Sequence, residues 1–196
     1  MRDSQEKELE TNIDVSQKSR MGKIKAALGE VFIYAAIFIL CLYLVPKFIC
    51  CKYTVDGQSM ETTLKNEEQL IGEKISYLVT DPKKHDVVVV RPYANDKDNY
   101  YVKRVIGIPG DTIKIVHGRL FINEKEQKES FIKEPMWDTT EYGPVTLGKD
   151  EYFVMGDNRN CSLDSRESDI GPIPKDRFVA KVFLRVWPLK KLDLIN

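Results

Sequence analysis

Histidines, the usual partners of a catalytic serine, are scarce in this sequence, where only His85 and His117 occur. His85 precedes a hydrophobic run and His117 is followed by Gly118 at a predicted hairpin turn, so we expect both on the solvent side of turns. A Ser-His-Asp triad is therefore disfavoured. The remaining way to build a nucleophile with its own base is a serine paired with a lysine.

A lysine acts as a general base only as the neutral amine. Because an ordinary lysine has a pKa of about 10.4, burial has to lower that pKa to about 7, which corresponds to roughly 4 kcal/mol. In the predicted strand YYVKRVI, alternation puts Lys103 on one face with Tyr101 and Val105, and Arg104 on the other face. Lys103 is therefore the candidate base, although the pattern alone more commonly describes a lysine whose ammonium reaches water.

The overall charge and the cysteine spacing exclude several kinds of ligand. Lys+Arg and Asp+Glu both number 30, so the formal net charge of zero argues against a nucleic-acid partner. Four cysteines show the spacing of neither a zinc site nor a disulfide framework: Cys41, Cys50, Cys51 and Cys161. We expect no metal and no other cofactor.

The apolar run AALGEVFIYAAIFILCLYLV, residues 26–45, predicts a membrane anchor. As a helix, about 20 residues span the roughly 30 Å hydrocarbon core, and this run carries a single charge, Glu30. A buried core helix and a cleaved signal peptide both fit less well, since almost no polar face is present and no small-x-small site follows. Positive charges before the run outnumber those after it, which predicts a cytoplasmic amino terminus: Lys18, Arg20, Lys23 and Lys25 against Lys47 and Lys52.

The body that follows the anchor is predicted to be mainly β, with antiparallel hairpins. Apolar runs bounded by turn residues predict strands at Gln69–Ile75, Asp86–Arg91, Tyr100–Ile106, Thr112–Val116, Arg119–Asn123, Glu151–Met155 and Arg177–Trp187. Residues 124–150 are charged and irregular, and predict a small insertion. The predicted organisation is a cytoplasmic tail at 1–25, a single transmembrane anchor at 26–46 and an extracytoplasmic domain at 47–196.

Three segments together carry a specific resemblance: VDGQSMETTL at 55–64, YVKRVIGIPGD at 101–111 and GDNRNCSLDSRE at 156–167. With the anchor, they resemble bacterial type I signal peptidase over nearly the whole chain up to Trp187-Pro188. The resemblance implies a signal-peptidase-like β fold and a serine endopeptidase at the lipid bilayer that removes signal peptides from exported preproteins. It also implies that Ser59 is the nucleophile and Lys103 the general base.

The resemblance implies further residues around this Ser-Lys dyad. Gly57, Ser59 and Met60 would form the oxyanion and substrate loop, with the Ser59 amide as a donor and Met60 either lining the groove or packing in the core. Ser162 would accept a hydrogen bond from the lysine amine, and Asp164 would hold neighbouring groups.

A second set of residues in the matching segments is expected to support the site from outside the groove. Arg104, Asp157, Asn158, Arg159 and Arg166 would do so through carboxylate–guanidinium pairs and hydrogen bonds. Cys161, which lies in the same loop, is expected to be a buried or half-buried thiol without chemistry.

One position departs from the family pattern, since Thr62 stands where a proline is usual. A proline would stiffen the turn that presents Ser59, so its replacement permits a more specialised substrate set. The alternative function is therefore a signal-peptidase-like accessory factor for one exported client such as pilin, with reduced or no proteolysis. A self-cleaving repressor-type Ser-Lys protease and a tethered β binding domain explain less of the sequence.

Overall fold

The computed structural model describes residues 21, 23, 25, 27–43, 49–95, 98–137 and 140–195. The chain divides into two units, Met1–Lys47 and Phe48–Asn196. In the first unit, residues 27–43 form a helix, α1, with exposed side chains. Within the described ranges, none of the helices combines the length and the apolar character needed to cross a membrane. The predicted tail up to residue 20 and the end of the predicted anchor, 44–46, lie outside the described residues.

The second unit is mainly antiparallel β, which confirms the predicted class. Its elements are β1 (Cys50–Thr54), β2 (Gln69–Glu73), α2 (Ser76–Val79), β3 (Val87–Val90), β4 (Tyr101–Gly107), β5 (Thr112–Val116), β6 (Arg119–Ile122), β7 (Lys125–Glu126), β8 (Tyr142–Thr146), β9 (Glu151–Met155), β10 (Ile173–Pro174), β11 (Phe178–Trp187) and β12 (Asp193–Leu194). Each predicted strand is present, with ends that differ by no more than two residues.

An eight-stranded sheet forms the frame of this unit. Its strand order is β1-β2-β11-β3-β4-β9-β10, and β12 pairs with β11. The run Val87–Val90 in β3 is buried on both faces, with Val87 and Val89 in one apolar cluster and Val88 and Val90 in another. Two cores thus sandwich the centre of the sheet, so side chains on either face of the neighbouring β4 are also withdrawn from water.

A second, four-stranded sheet of order β7-β6-β5-β8 packs beside the first through a third apolar cluster. Gly107 allows the close approach, because a Cβ there would lie 2.7 Å from Ile113 Cδ1 and 2.8 Å from Leu147 Cδ1. The sheet begins at Thr112, before the predicted insertion of 124–150. The sheet extends beyond the irregular segment because the two short strands of that segment, β7 and β8, pair with the apolar hairpin β5–β6. This hairpin supplies the buried side chains.

Candidate active site

Ser59 lies in the turn that follows β1. Gly57 adopts φ +97°, a backbone conformation that favours glycine, and its amide donates to Asn66 Oδ1 at 2.8 Å. The Ser59 carbonyl accepts from the Asn158 amide at 3.0 Å, which ties this turn to the loop after β9. Within the described part of the chain, the Ser59 amide has no acceptor and is available to a substrate oxyanion.

Lys103 reaches Ser59 from the middle of β4. Its Nζ donates to Ser59 Oγ at 2.8 Å, and its side chain is 4% exposed. The Tyr101 ring lies beside it, with its centroid 5.2 Å from Nζ. Burial lowers the pKa of Lys103 to about 8, against the opposing charge of the Asp164 carboxylate. A substantial fraction of the amine is therefore neutral near physiological pH, as a general base requires.

A groove of about 350 Å³ runs past this pair and is lined by Thr54, Val55, Asp56, Gly57, Gln58, Ser59, Met60, Tyr100, Tyr101, Val102, Lys103, Cys161 and Leu163. Met60 is 1% exposed and also packs in the core, so it serves both of the roles considered for it. Cys161 is exposed, which corrects the prediction of a buried or half-buried thiol. The turn in which the Cys161 amide bonds to the Asn158 carbonyl directs Asp164 and Ser165 inward and leaves Cys161 at the groove.

Asp164 holds the loop behind the lysine. Its carboxylate accepts from Arg166 Nε at 2.8 Å, from Arg166 Nη2 at 2.9 Å and from the Gly156 amide at 3.0 Å. Burial would raise the pKa of the Asp164 carboxyl, but the Arg166 guanidinium and the Gly156 amide hold that pKa below its usual value. Asp164 is thus a fixed negative charge near the lysine.

Ser162 does not make the hydrogen bond expected of it in this geometry. Its buried Oγ has no partner at hydrogen-bond geometry among the described residues, and the hydrogen bond of the Lys103 amine goes to Ser59 Oγ. Ser162 nevertheless packs closely here, since a Cβ on Gly156 would overlap both Ser162 Oγ and the Ser59 carbonyl oxygen. Only glycine fits between these two loops.

Arg104 and Asp157 form a buried ion pair on the other face of β4, outside the groove. Arg104 Nε and Nη2 donate to the two carboxylate oxygens at 2.9 and 2.8 Å, and the side chains are 3% and 0% exposed. Thr63 Oγ1 donates to the same carboxylate, and the Phe131 ring covers the guanidinium at 4.3 Å. The pair therefore joins β4, the turn after Ser59 and the loop after β9, as support rather than as substrate contact.

Residues 129–137, which we call the strap, were not identified from the sequence as part of the site. Glu129 forms a buried ion pair with Arg159 at 2.6 Å. The Lys133 amide donates to the Asp157 carbonyl at 3.0 Å, and Lys133 Nζ pairs with Glu61 at 2.8 Å. The strap lies in the segment predicted only as an irregular insertion, so alternation offered no signal for it.

The two histidines lie at turns, as predicted. Both are exposed and have positive φ, 75° at His85 and 48° at His117. Within the ranges that the structure describes, no group of three His, Cys, Asp or Glu side chains is placed to hold a metal ion. The arrangement is suited to acyl transfer, with a nucleophilic oxygen, a desolvated amine and an amide donor at one end of a groove.

Comparison with known proteins gives consistent matches over most of the chain. The family model described as "Signal peptidase, peptidase S26" matches residues 27–187. "Signal peptidase I P" of Bacillus subtilis subsp. natto is 38% identical over 164 residues, 80% of this chain and 87% of the relative. "Signal peptidase IB" of Staphylococcus aureus is 35% identical over 184 residues, 86% and 94% of the two chains. "Probable signal peptidase I-2" of Synechocystis sp. is 34% identical over 173 residues, 86% and 76%.

Proposed function

The chain belongs to the signal peptidase family S26, and from this membership we propose that it removes signal peptides from exported preproteins with a Ser59–Lys103 dyad. The observation that carries the proposal is the 2.8 Å separation between Lys103 Nζ and Ser59 Oγ, with the lysine buried. No cofactor takes part in the proposed chemistry.

The reaction proceeds through an acyl-enzyme. Neutral Lys103 accepts the hydroxyl proton as Ser59 Oγ attacks the scissile carbonyl carbon, and the Ser59 amide donates to the oxyanion. The lysine ammonium then donates its proton to the leaving amine, and the mature protein departs. Lys103 next deprotonates a water molecule that attacks the ester, and the returned proton restores Ser59 while the signal peptide leaves as a carboxylic acid.

The groove fits an extended peptide with small side chains at the first and third positions before the cut. Val55, Met60 and Val102 give it an apolar wall, and the preference for small side chains follows from membership of the family. Met60 is packed on its far side by the core, so the wall is rigid.

Membrane attachment through residues 26–46 is also part of the proposal. The run is apolar over the needed length, and the basic residues before it support a cytoplasmic tail at 1–25 and an extracytoplasmic domain at 47–196. An anchor would keep the dyad where translocated signal peptides leave the bilayer, and would confine the search for substrate to two dimensions.

Cleavage of several preproteins by the full chain in lipid tests the proposal. Wild type should release mature protein, and Ser59→Ala and Lys103→Ala should not, while the matched surface changes Ser168→Ala and Lys114→Ala should retain activity. If wild type were as inactive as both dyad variants but bound one exported subunit such as pilin, the accessory-factor function permitted by Thr62 would replace peptidase activity.

A further inference from the structure

One cavity of the second unit lies away from the dyad, at the end of the sheet where the described part of this unit begins. The Lys74 amide donates to the Ile49 carbonyl at 3.0 Å, and Cys50 is in register with Glu73 at the end of β2. Helix α2 follows at once and packs on β11, with Tyr77 and Phe178 ring centroids 5.7 Å apart. This end of the sheet is therefore three residues beyond the predicted anchor, and would lie near the bilayer surface.

Cationic side chains line this cavity of about 1130 Å³ without carboxylate partners. Lys74, Arg91 and Arg177 all contribute to the wall, and none forms an ion pair with any residue that the structure describes. Arg91 Nη2 donates to the Asp176 carbonyl and Arg177 Nη1 to the Pro92 carbonyl, both at 3.1 Å, so the two guanidinium groups are fixed by neutral acceptors and keep their charge. Arg91 Nε is buried and unbonded.

The rest of the wall shows which anions fit. Lys175 is already paired with Asp81 at 2.5 Å, and two exposed carboxylates, Asp150 and Asp176, also line the cavity, beside the three cations without ion-pair partners among the described residues. Tyr77 and Phe178 form an apolar floor. A small, highly charged anion would leave the apolar side chains uncovered. An amphiphile with one phosphate can pair its phosphate with the basic side chains and cover the apolar side chains with its hydrocarbon part.

Two exposed aliphatic side chains extend from the cavity on α2. Leu78, which lines the cavity, is 81% exposed, and Val79 is 77% exposed. Isolated exposed apolar side chains are ordinary, but these two are adjacent and one of them lines the same cavity as the basic residues, so together they form a small apolar patch beside it. Beside a cluster of basic residues, they have the composition of a surface that enters the headgroup region of a bilayer.

We propose that this cavity binds the phosphate of an anionic phospholipid headgroup through Lys74, Arg91 and Arg177, while Leu78 and Val79 contact the acyl region. The inference rests on the membrane attachment proposed above, but it is independent of the chemistry at Ser59. Bound lipid would hold α2 and the start of β11 at the membrane surface and so orient the domain on its anchor.

Native mass spectrometry of the full chain in detergent micelles tests the site. Titration with phosphatidylglycerol and with phosphatidylcholine of the same acyl chains compares an anionic with a zwitterionic headgroup. Wild type should retain phosphatidylglycerol at several-fold lower lipid concentration than phosphatidylcholine. Lys74→Gln/Arg91→Gln/Arg177→Gln should lose this preference. Lys114→Gln/Lys125→Gln/Lys128→Gln removes the same charge from β5, β7 and the segment just after β7, and should keep it.

Two further variants and a competition with inorganic phosphate separate lipid binding from misfolding, from peptidase activity and from binding of free phosphate. Lys74→Gln alone removes an ammonium without a hydrogen-bond partner among the described residues, and should weaken retention. A far-UV circular dichroism spectrum and a urea-unfolding midpoint like those of wild type would exclude misfolding as the cause. Ser59→Ala should retain lipid like wild type even if the proposed peptidase activity fails. Equal retention by wild type and the triple variant would overturn the proposal, as would displacement of the lipid by millimolar inorganic phosphate, which would assign the cavity to free phosphate.

Discussion

Lys103 and Arg104 are consecutive residues of β4 and both are buried, but only Arg104 has a carboxylate partner among the described residues. Alternation sends the two side chains to opposite faces of one strand. One face meets Asp157 at 2.8 Å, while the other places Lys103 against Ser59 Oγ and the Tyr101 ring. The same strand thus holds one permanent cation and one amine that burial makes easy to deprotonate.

The rate of cleavage should rise with pH up to about 8. Burial lowers the pKa of Lys103 to about 8, and only the neutral amine accepts the Ser59 proton. Below that pH, kcat/KM should fall about tenfold for each pH unit, and above it the profile should flatten. Initial rates on a signal-sequence peptide between pH 5.5 and 9.5 measure this; a profile independent of pH below 7 would contradict Lys103 as the base.

Lys103→Met should be inactive yet more stable than wild type at neutral pH. The fall in the pKa of Lys103 from 10.5 to about 8 means that the unfolded chain binds a proton more tightly than the folded chain. Wild-type stability is therefore reduced by about 3 kcal/mol below pH 8 and recovers as pH rises to about 10.5. Loss of the bond to Ser59 offsets about 1 kcal/mol. Urea unfolding at pH 7 and pH 10 should show a gain of about 2 kcal/mol that disappears at the higher pH, and Ser59→Ala should show no such change.

Asp157→Ala should destabilise the fold strongly without touching the groove. It would leave the Arg104 guanidinium buried and unpaired, which costs about 3–5 kcal/mol. Thr63→Val removes a hydroxyl that donates to the same carboxylate and accepts from Arg104 Nη2 at 3.3 Å, but leaves the ion pair in place, and should cost about 1 kcal/mol. Chemical denaturation of the three proteins compares these values. If Asp157→Ala and Thr63→Val were equally mild, the ion pair would not be the element that holds the two loops together.

The Glu61–Lys133 pair should contribute only modestly to activity. The side chains are 25% and 39% exposed, so solvent screens the pair, and its loss should lower kcat/KM by no more than a few-fold. A double-mutant cycle with Glu61→Gln and Lys133→Gln at low and high salt measures the coupling. A larger effect that persists in salt would mean that the strap positions Ser59 by more than this contact.

Alkylation of Cys161 should block cleavage. Its thiol is exposed and lines the groove with Ser59 and Lys103, so a bulky adduct would occupy the space of the substrate. A maleimide should therefore inactivate wild type and leave Cys161→Ser active, and a bound peptide should slow the reaction. Equal inactivation of Cys161→Ser would instead implicate Cys41, Cys50 or Cys51.

Local patterns in the sequence predicted the main strands well, because alternation and turn residues act over a few positions. The β5–β6 hairpin closes at His117-Gly118, as those residues indicate. The strand β8 was missed because Gly143-Pro144 normally interrupts a strand. Here the pair is tolerated since β8 lies at the edge of its sheet, where a missing amide donor faces no partner strand.

The surroundings of the dyad were less accessible to prediction because they depend on contacts distant in sequence. Alternation separates Lys103 from Arg104 but does not indicate that both faces of β4 are covered. Glu129 pairs with Arg159, and the Phe131 ring covers Arg104, so each contact joins residues about 30 positions apart. Glu129 and Phe131 belong to a segment without a periodic pattern, which gave no indication of these contacts. The prediction that Cys161 is buried or half-buried is wrong for a related reason, since burial within a tight loop depends on which side chains the turn directs outward.

The position of β11 determines when during biosynthesis the dyad can exist. This strand from the carboxyl-terminal part of the chain lies between β2 and β3, so within the eight-stranded sheet the β1–β2 hairpin next to Ser59 is hydrogen-bonded to the β3–β4 strands, which include Lys103, only through β11. A nascent chain halted before Phe178 would contain both residues in unconnected pieces of sheet. The sheet that brings Ser59 and Lys103 together would therefore be completed only once the last long strand of the chain has been inserted, so a newly made chain should stay inactive until then.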